Sequence, residues 1–143
     1  MTVAETEHAI GAKLTPFVEG DSKECWLTGR ADGRDAEISY MIDGERVVRI
    51  DIYHKKNQPL PDFATAANIR IGSTEEDIKK AYGPSIKINP APYYPEGKSP
   101  VGHDLIVEAH NGKSAILFET EDFKVHHFRV GFHGPLEYIE GCD

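Results

Sequence analysis

Cysteine is scarce: two residues in a chain of 143, too few for a disulfide scaffold and enough for one staple. No apolar run approaches the ~20 residues that span a bilayer. Basic residues are outnumbered, 16 Lys and Arg against 24 Asp and Glu, and the net charge of −8 repels phosphate backbones and anionic membranes. Nucleic acid is therefore not an expected partner. There is no HExxH, no CxxC, no ligand pair at helical spacing and no Gly-rich strand-to-helix phosphate turn, so neither metal nor cofactor is expected. No leader with an apolar core follows Met1, so an exported protein is expected to have lost one. What remains, 39% hydrophobic and 28% charged, is ordinary for a soluble globular domain.

The most ordered signal is Ile69–Gly83, IRIGSTEEDIKKAYG. Ser73 or Thr74 followed three residues on by Glu76 or Asp77 makes a capping box. Ile78, Ala81 and Tyr82 form one apolar helical stripe, and Gly83-Pro84 stops the helix. Met1–Leu14 lies over Ser73–Ile86 without a gap: Thr2 on Thr74, Glu5 on Asp77, Ala9 on Ala81, Gly11 on Gly83, Leu14 on Ile86. Such self-similarity points to duplication, although short helices share this grammar by physics alone. The expected fold is α+β in a single domain, 1–143. It comprises two tandem α-β-β-β-β half-repeats, 1–54 and 69–143, joined by a connector over 55–68. Together they form an antiparallel sheet with the short helices on one face.

In the first half, strands are expected at Lys13–Glu19, Cys25–Thr28, Ala36–Ile42 and Arg46–Tyr53 after a helix over Thr2–Ile10. Ile38 and Tyr40 must share a face with Val48, Ile50 and Ile52. A three-residue loop, Ile42-Asp43-Gly44, with Gly44 left-handed as a bulge, achieves this. In the second half, Ser85–Asn89, Asp104–His110, Lys113–Thr120 and Phe123–Phe132 follow the helix. Here Asn111-Gly112 as a two-residue type I′ turn places Leu105, Val107, Ile116 and Phe118 together. A short strand around Tyr138–Gly141 closes the edge.

Asn89–His103, NPAPYYPEGKSPVGH, is longer than its counterpart and rich in proline. A stiff loop bearing Tyr93 and Tyr94, with Lys98 and His103 beside them, is a candidate recognition element; the alternative is that the tyrosines cover the sheet edge. Cys25 and Cys142 are read as a disulfide, which implies an oxidising compartment. Two unrelated reduced thiols, and a cytoplasmic location, are the alternative. Histidines gather late in the chain, but His126 and His127 on a strand point to opposite faces and cannot share a metal. Ser99, His103 and Asp104 have the residue types of a triad without its rigid support. Glu75, Glu76 and Asp77 complement a helix dipole.

GSTEEDIKKAYG resembles the signature of the SmpA/OmlA (BamE-like) outer-membrane-assembly lipoproteins, through Gly72, Thr74, Ile78 and Gly83. The tandem arrangement resembles the β-lactamase inhibitory proteins, which present a concave sheet to an enzyme. This likeness implies an α-plus-antiparallel-β module and carries no binding residues over. No lipidated cysteine stands near the N-terminus. The expected function is a non-enzymatic periplasmic or secreted protein-binding module, inhibitor-like or an envelope-assembly partner, whose protein partner would suit this chain if basic. The alternative is a small enzyme or ligand or metal carrier with a cleft lined by His103, His110, His126 and His127. An open apolar-aromatic surface would favour the first, a pocket of displaced ionisations the second.

Overall fold

A computed structural model describes residues 1–17, 24–55, 57–93, 97, 99–139 and 142. In chain order the elements are α1 (Val3–Ile10), β1 (Leu14–Pro16), β2 (Cys25–Arg30), β3 (Ile38–Asp43), β4 (Arg46–Tyr53), α2 (Glu75–Tyr82), β5 (Lys87–Pro90), β6 (His103–Glu108), β7 (Ser114–Glu121) and β8 (Lys124–Phe132). A 3₁₀ turn, Pro135–Glu137, follows. The fold class is α+β, with an antiparallel sheet of eight strands ordered β1-β2-β3-β4-β8-β7-β6-β5 and two short helices.

Both helices start as their sequences dictate. Thr2 and Thr74 are N-caps with complete capping boxes, closed by Glu5 and Asp77. Gly11 and Gly83 end them, each with its N–H on a helix carbonyl and with φ of +66° and +79°. Each eight-residue helix is too short to persist alone, so packing must hold it. Val3 and Ile10 pack over Tyr40, Ile42 and Val47. Ile78, fully buried, packs with Leu105, Phe118, Val125 and Phe128, and Phe63, Ile69 and Ile71 complete that cluster. Both clusters meet Ile38 and Ile50, so the helices cover one face of one sheet.

The β3–β4 hairpin departs from expectation, and the β7–β8 hairpin has the same geometry. β3 and β4 are joined by a two-residue turn, Gly44-Glu45, with Asp43 opposite Arg46 and Ile42 opposite Val47. The register then slips, Met41 facing Arg49, so Val48 is the extra residue. The bulge thus lies inside β4 and not in the loop, and Val47, not Val48, joins Ile50 and Ile52 on the helix face. Gly44 is left-handed as expected, at φ +59°. Between β7 and β8 the turn is Asp122-Phe123, both left-handed, and the slip makes His126 the extra residue. At the β6–β7 turn the expected register holds, Leu105 opposite Phe118 and Val107 opposite Ile116. The turn itself is not type I′: Gly112 is left-handed and Asn111 is not, its Oδ1 accepting from the N–H groups of Lys113 and Ser114.

No edge strand forms at Tyr138 or Ile139; Gly141 lies outside the described residues. Instead the C-terminal segment is tied across the second face of the sheet. Leu136 packs against Ala115, Leu117 and Ile106. Arg49 donates to the carbonyls of Pro135 (2.7 Å) and Tyr138 (2.9 Å), and Arg129 to those of Leu136 (3.3 Å) and Tyr138 (2.7 Å). The Cys25–Cys142 disulfide pins the end to β2, with the two Cα atoms 5.9 Å apart.

Candidate functional site

The second face carries charge where a sandwich would carry aliphatics. Asp51, Glu119, His127 and Arg129 meet across β4, β8 and β7, and the pairing Asp51↔Arg129 and Glu119↔His127 fixes which groups touch. Arg49 Nε donates to Asp51 Oδ2 at 2.8 Å, and Arg129 pairs with Glu119. His127 stands between two carboxylates, Nδ1 3.0 Å from Glu119 Oε2 and Nε2 3.2 Å from Asp51 Oδ1. Burial pushes the Asp51 carboxyl upward, but the bond from His127 and the Arg49 charge outweigh it and hold the carboxyl below its ordinary range.

Beside this network, between β5–β8, the C-terminal segment that straps this face (the strap, residues 135–139) and residues 91–93, lies a cleft of about 310 Å³. Ile106, Leu117 and Leu136 make its apolar walls; Asp104, Glu119, His126 and Arg129, with Lys87, Asn89 and Glu137, are among its polar lining; Tyr93 stands at its mouth, 64% exposed. Desolvation raises the Asp104 carboxyl. Desolvation, reinforced by neighbouring His127, lowers the His126 imidazole, and desolvation with the Arg49 charge lowers the Arg129 guanidinium. Asp104 Oδ1 and Arg129 Nε are buried with no hydrogen-bond partner among the described residues. Arg129 did not stand out in the sequence, because it sits within an unexceptional strand pattern, and Asp104 was noted only as a triad residue type beside Ser99 and His103.

His126 and His127 do not point to opposite faces. The extra residue at the bulge breaks the alternation, so Val125 and Phe128 both enter the helix-side core while His126 lines the cleft and His127 bonds carboxylates on that same side. The signal was available: two apolar residues spaced three apart, Val125 and Phe128, cannot share a face of an unbroken strand. Val47 and Ile50 repeat that spacing, but apolar Val48 disguised it. His126 and His127 rings sit 6.4 Å apart, yet among the described residues no group of three or more His, Cys, Asp or Glu could hold a metal.

The other expected site residues separate. Tyr94 and Lys98 lie outside the described residues. His103 is not beside Tyr93 but on the helix face, its Nδ1 2.8 Å from Glu75 Oε1 and its ring 5.9 Å from that of Phe123. Glu75, taken from sequence as a dipole partner, is a buried acceptor, 6% exposed, that also binds Thr120 Oγ1 at 2.7 Å. His110 lies in the β6–β7 turn, so the four histidines do not share one cleft. Asp104, adjacent to His103 on β6, faces the opposite side, which removes any Ser99-His103-Asp104 constellation. In comparisons of the chain with known proteins, no family model, no curated protein and no solved structure matches it.

Proposed function

We propose that this chain is a non-enzymatic binding module of the periplasm or the secreted space, taking another protein on the strapped face of its sheet. The observation that carries this reading is the cleft under the strap with exposed Tyr93 at its mouth. A preformed concavity with apolar walls, a few polar groups and an aromatic rim is what a binding site requires. Binding is favoured over catalysis because the network beside the cleft is largely engaged within itself: His127 at both nitrogens, and the terminal nitrogens of Arg129 by Glu119 and two carbonyls of the C-terminal segment. The disulfide supports an oxidising compartment. The test is capture from an extracytoplasmic extract by wild type and Tyr93→Ala. A partner retained by wild type and lost by the variant supports the reading; equal retention of every protein sinks it.

The two halves are read here as copies of one α-β-β-β-β unit, in keeping with the SmpA/OmlA and β-lactamase-inhibitor resemblances. Three paired details support this. Thr2 bridges Arg46 as Thr74 bridges Lys124; Val3 N–H binds Glu45 O as Glu75 N–H binds Phe123 O; and both following hairpins slip one residue at the same place, Val48 and His126. A second reading, a small enzyme or ligand carrier, is favoured by one observation: Asp104 and His126 line one cleft and are displaced in opposite senses, acid upward and base downward. Its test is ligand binding at that cleft.

A further inference from the structure

We infer that the cleft under the strap is a site for a small zwitterion, an α-amino acid with an apolar side chain, its ammonium on Asp104 and its carboxylate on Arg129. This goes beyond the protein-binding reading and rests on the second one, the cleft as a ligand site.

The argument begins with unmet hydrogen-bonding capacity. Buried polar atoms are nearly always paired, and each exception calls for an explanation. Among the exceptions, an acceptor, Asp104 Oδ1, and a donor, Arg129 Nε, both line this one cavity. They belong to side chains of opposite charge, so the complementary ligand presents a cationic donor and an anionic acceptor. A ligand with one charge alone would satisfy one atom and bury the other unpaired, at a cost.

A ligand carrying both charges leaves neither of these two side chains facing an uncompensated ion. The remaining wall, Ile106, Leu117 and Leu136, suits an aliphatic or aromatic side chain. A cavity near 310 Å³ lies at the small end of ligand sites, which fits one amino acid and not a large cofactor. Lys87 and Glu137 add one charged side chain of each sign to the same lining.

The experiment is titration of the intact, oxidised protein with L-leucine, with 3-methylbutan-1-amine, which lacks the carboxylate, and with 4-methylpentanoate, which lacks the ammonium. Binding is read by calorimetry and by amide shifts in β6–β8. Leucine is expected to saturate, with each single-charge analogue at least about tenfold weaker, and Asp104→Asn is expected to weaken leucine by about tenfold. Asp104→Asn keeps the side-chain shape, and unchanged circular dichroism establishes that it is folded. Equal affinity for leucine and the amine, an unaffected Asp104→Asn variant, or no saturable binding of leucine would each overturn the inference. If leucine fails while Tyr93→Ala still loses the captured protein, the inference alone is lost. If both fail, the binding reading goes too.

Discussion

Glu75 offers the sharpest test of the architecture. Its carboxylate is buried between α2 and β7 and accepts from His103 Nδ1 (2.8 Å) and Thr120 Oγ1 (2.7 Å). On the half-repeat reading proposed above, the matching places in the first half are Val3, Trp26 and Ile42, which pack together under α1. Replacing Glu75 by Ala orphans the imidazole N–H, while Thr120 falls back on its weaker 3.2 Å bond to the His103 carbonyl. One part-buried donor lost, plus the emptied volume, gives an expected destabilisation of about 2–3 kcal/mol. The triple change Glu75→Val, His103→Trp, Thr120→Ile transplants the apolar version. It should be at least as stable as wild type, because packed hydrophobic groups replace a buried polar network without loss when the shapes fit. Urea unfolding followed by far-ultraviolet circular dichroism measures both, through the midpoint at constant slope. A Glu75→Ala variant within about 0.5 kcal/mol of wild type would show that the network does not hold the helix. A triple variant less stable than Glu75→Ala would show that the two places are not interchangeable, and the half-repeat reading would fall.

Replacing Cys25 and Cys142 by Ser frees a loop of separation 117 and is expected to cost about 4–5 kcal/mol on the chain-entropy account, read by urea unfolding; folded wild type should titrate no free thiol at these positions. Gly131→Ala should destabilise by about 2 kcal/mol or more in the same assay, since its Cβ would stand 2.7 Å from the Val48 carbonyl oxygen and 3.1 Å from Arg49 Cα, both backbone, where β4 meets β8. Asp104→Asn should be more stable than wild type at pH 7: the folded carboxyl is raised, so wild type loses stability as pH rises from the unfolded toward the folded value, and the variant's advantage should vanish as pH falls below the carboxylate range. The opposite sign applies to Asp51, whose lowered carboxyl contributes stability that is lost in acid, so Asp51→Asn should destabilise at pH 7 and cost progressively less toward pH 2 in thermal melts.

The chain's own order settled whatever depends on neighbours. Thr2 and Thr74 with their partners three residues on, and Gly11 and Gly83 at the far ends, define two helices because capping is satisfied within one turn of chain. The alternating residues of β6 and β7 fixed their register, because a one-residue slip would send Leu105 and Phe118 to the wrong face. The partnership of Cys25 with Cys142 followed from there being only two cysteines. Tertiary structure decided the rest. That β4 lies beside β8, that the C-terminal segment crosses the face away from the helices, and that Glu75 is buried on His103 and Thr120 all depend on groups far apart in sequence. Local patterning carries no term for such contacts. The bulge at His126 joins the two regimes: one inserted residue, set by contacts with segments distant in sequence, turned a pair of histidines expected on opposite faces toward the same one.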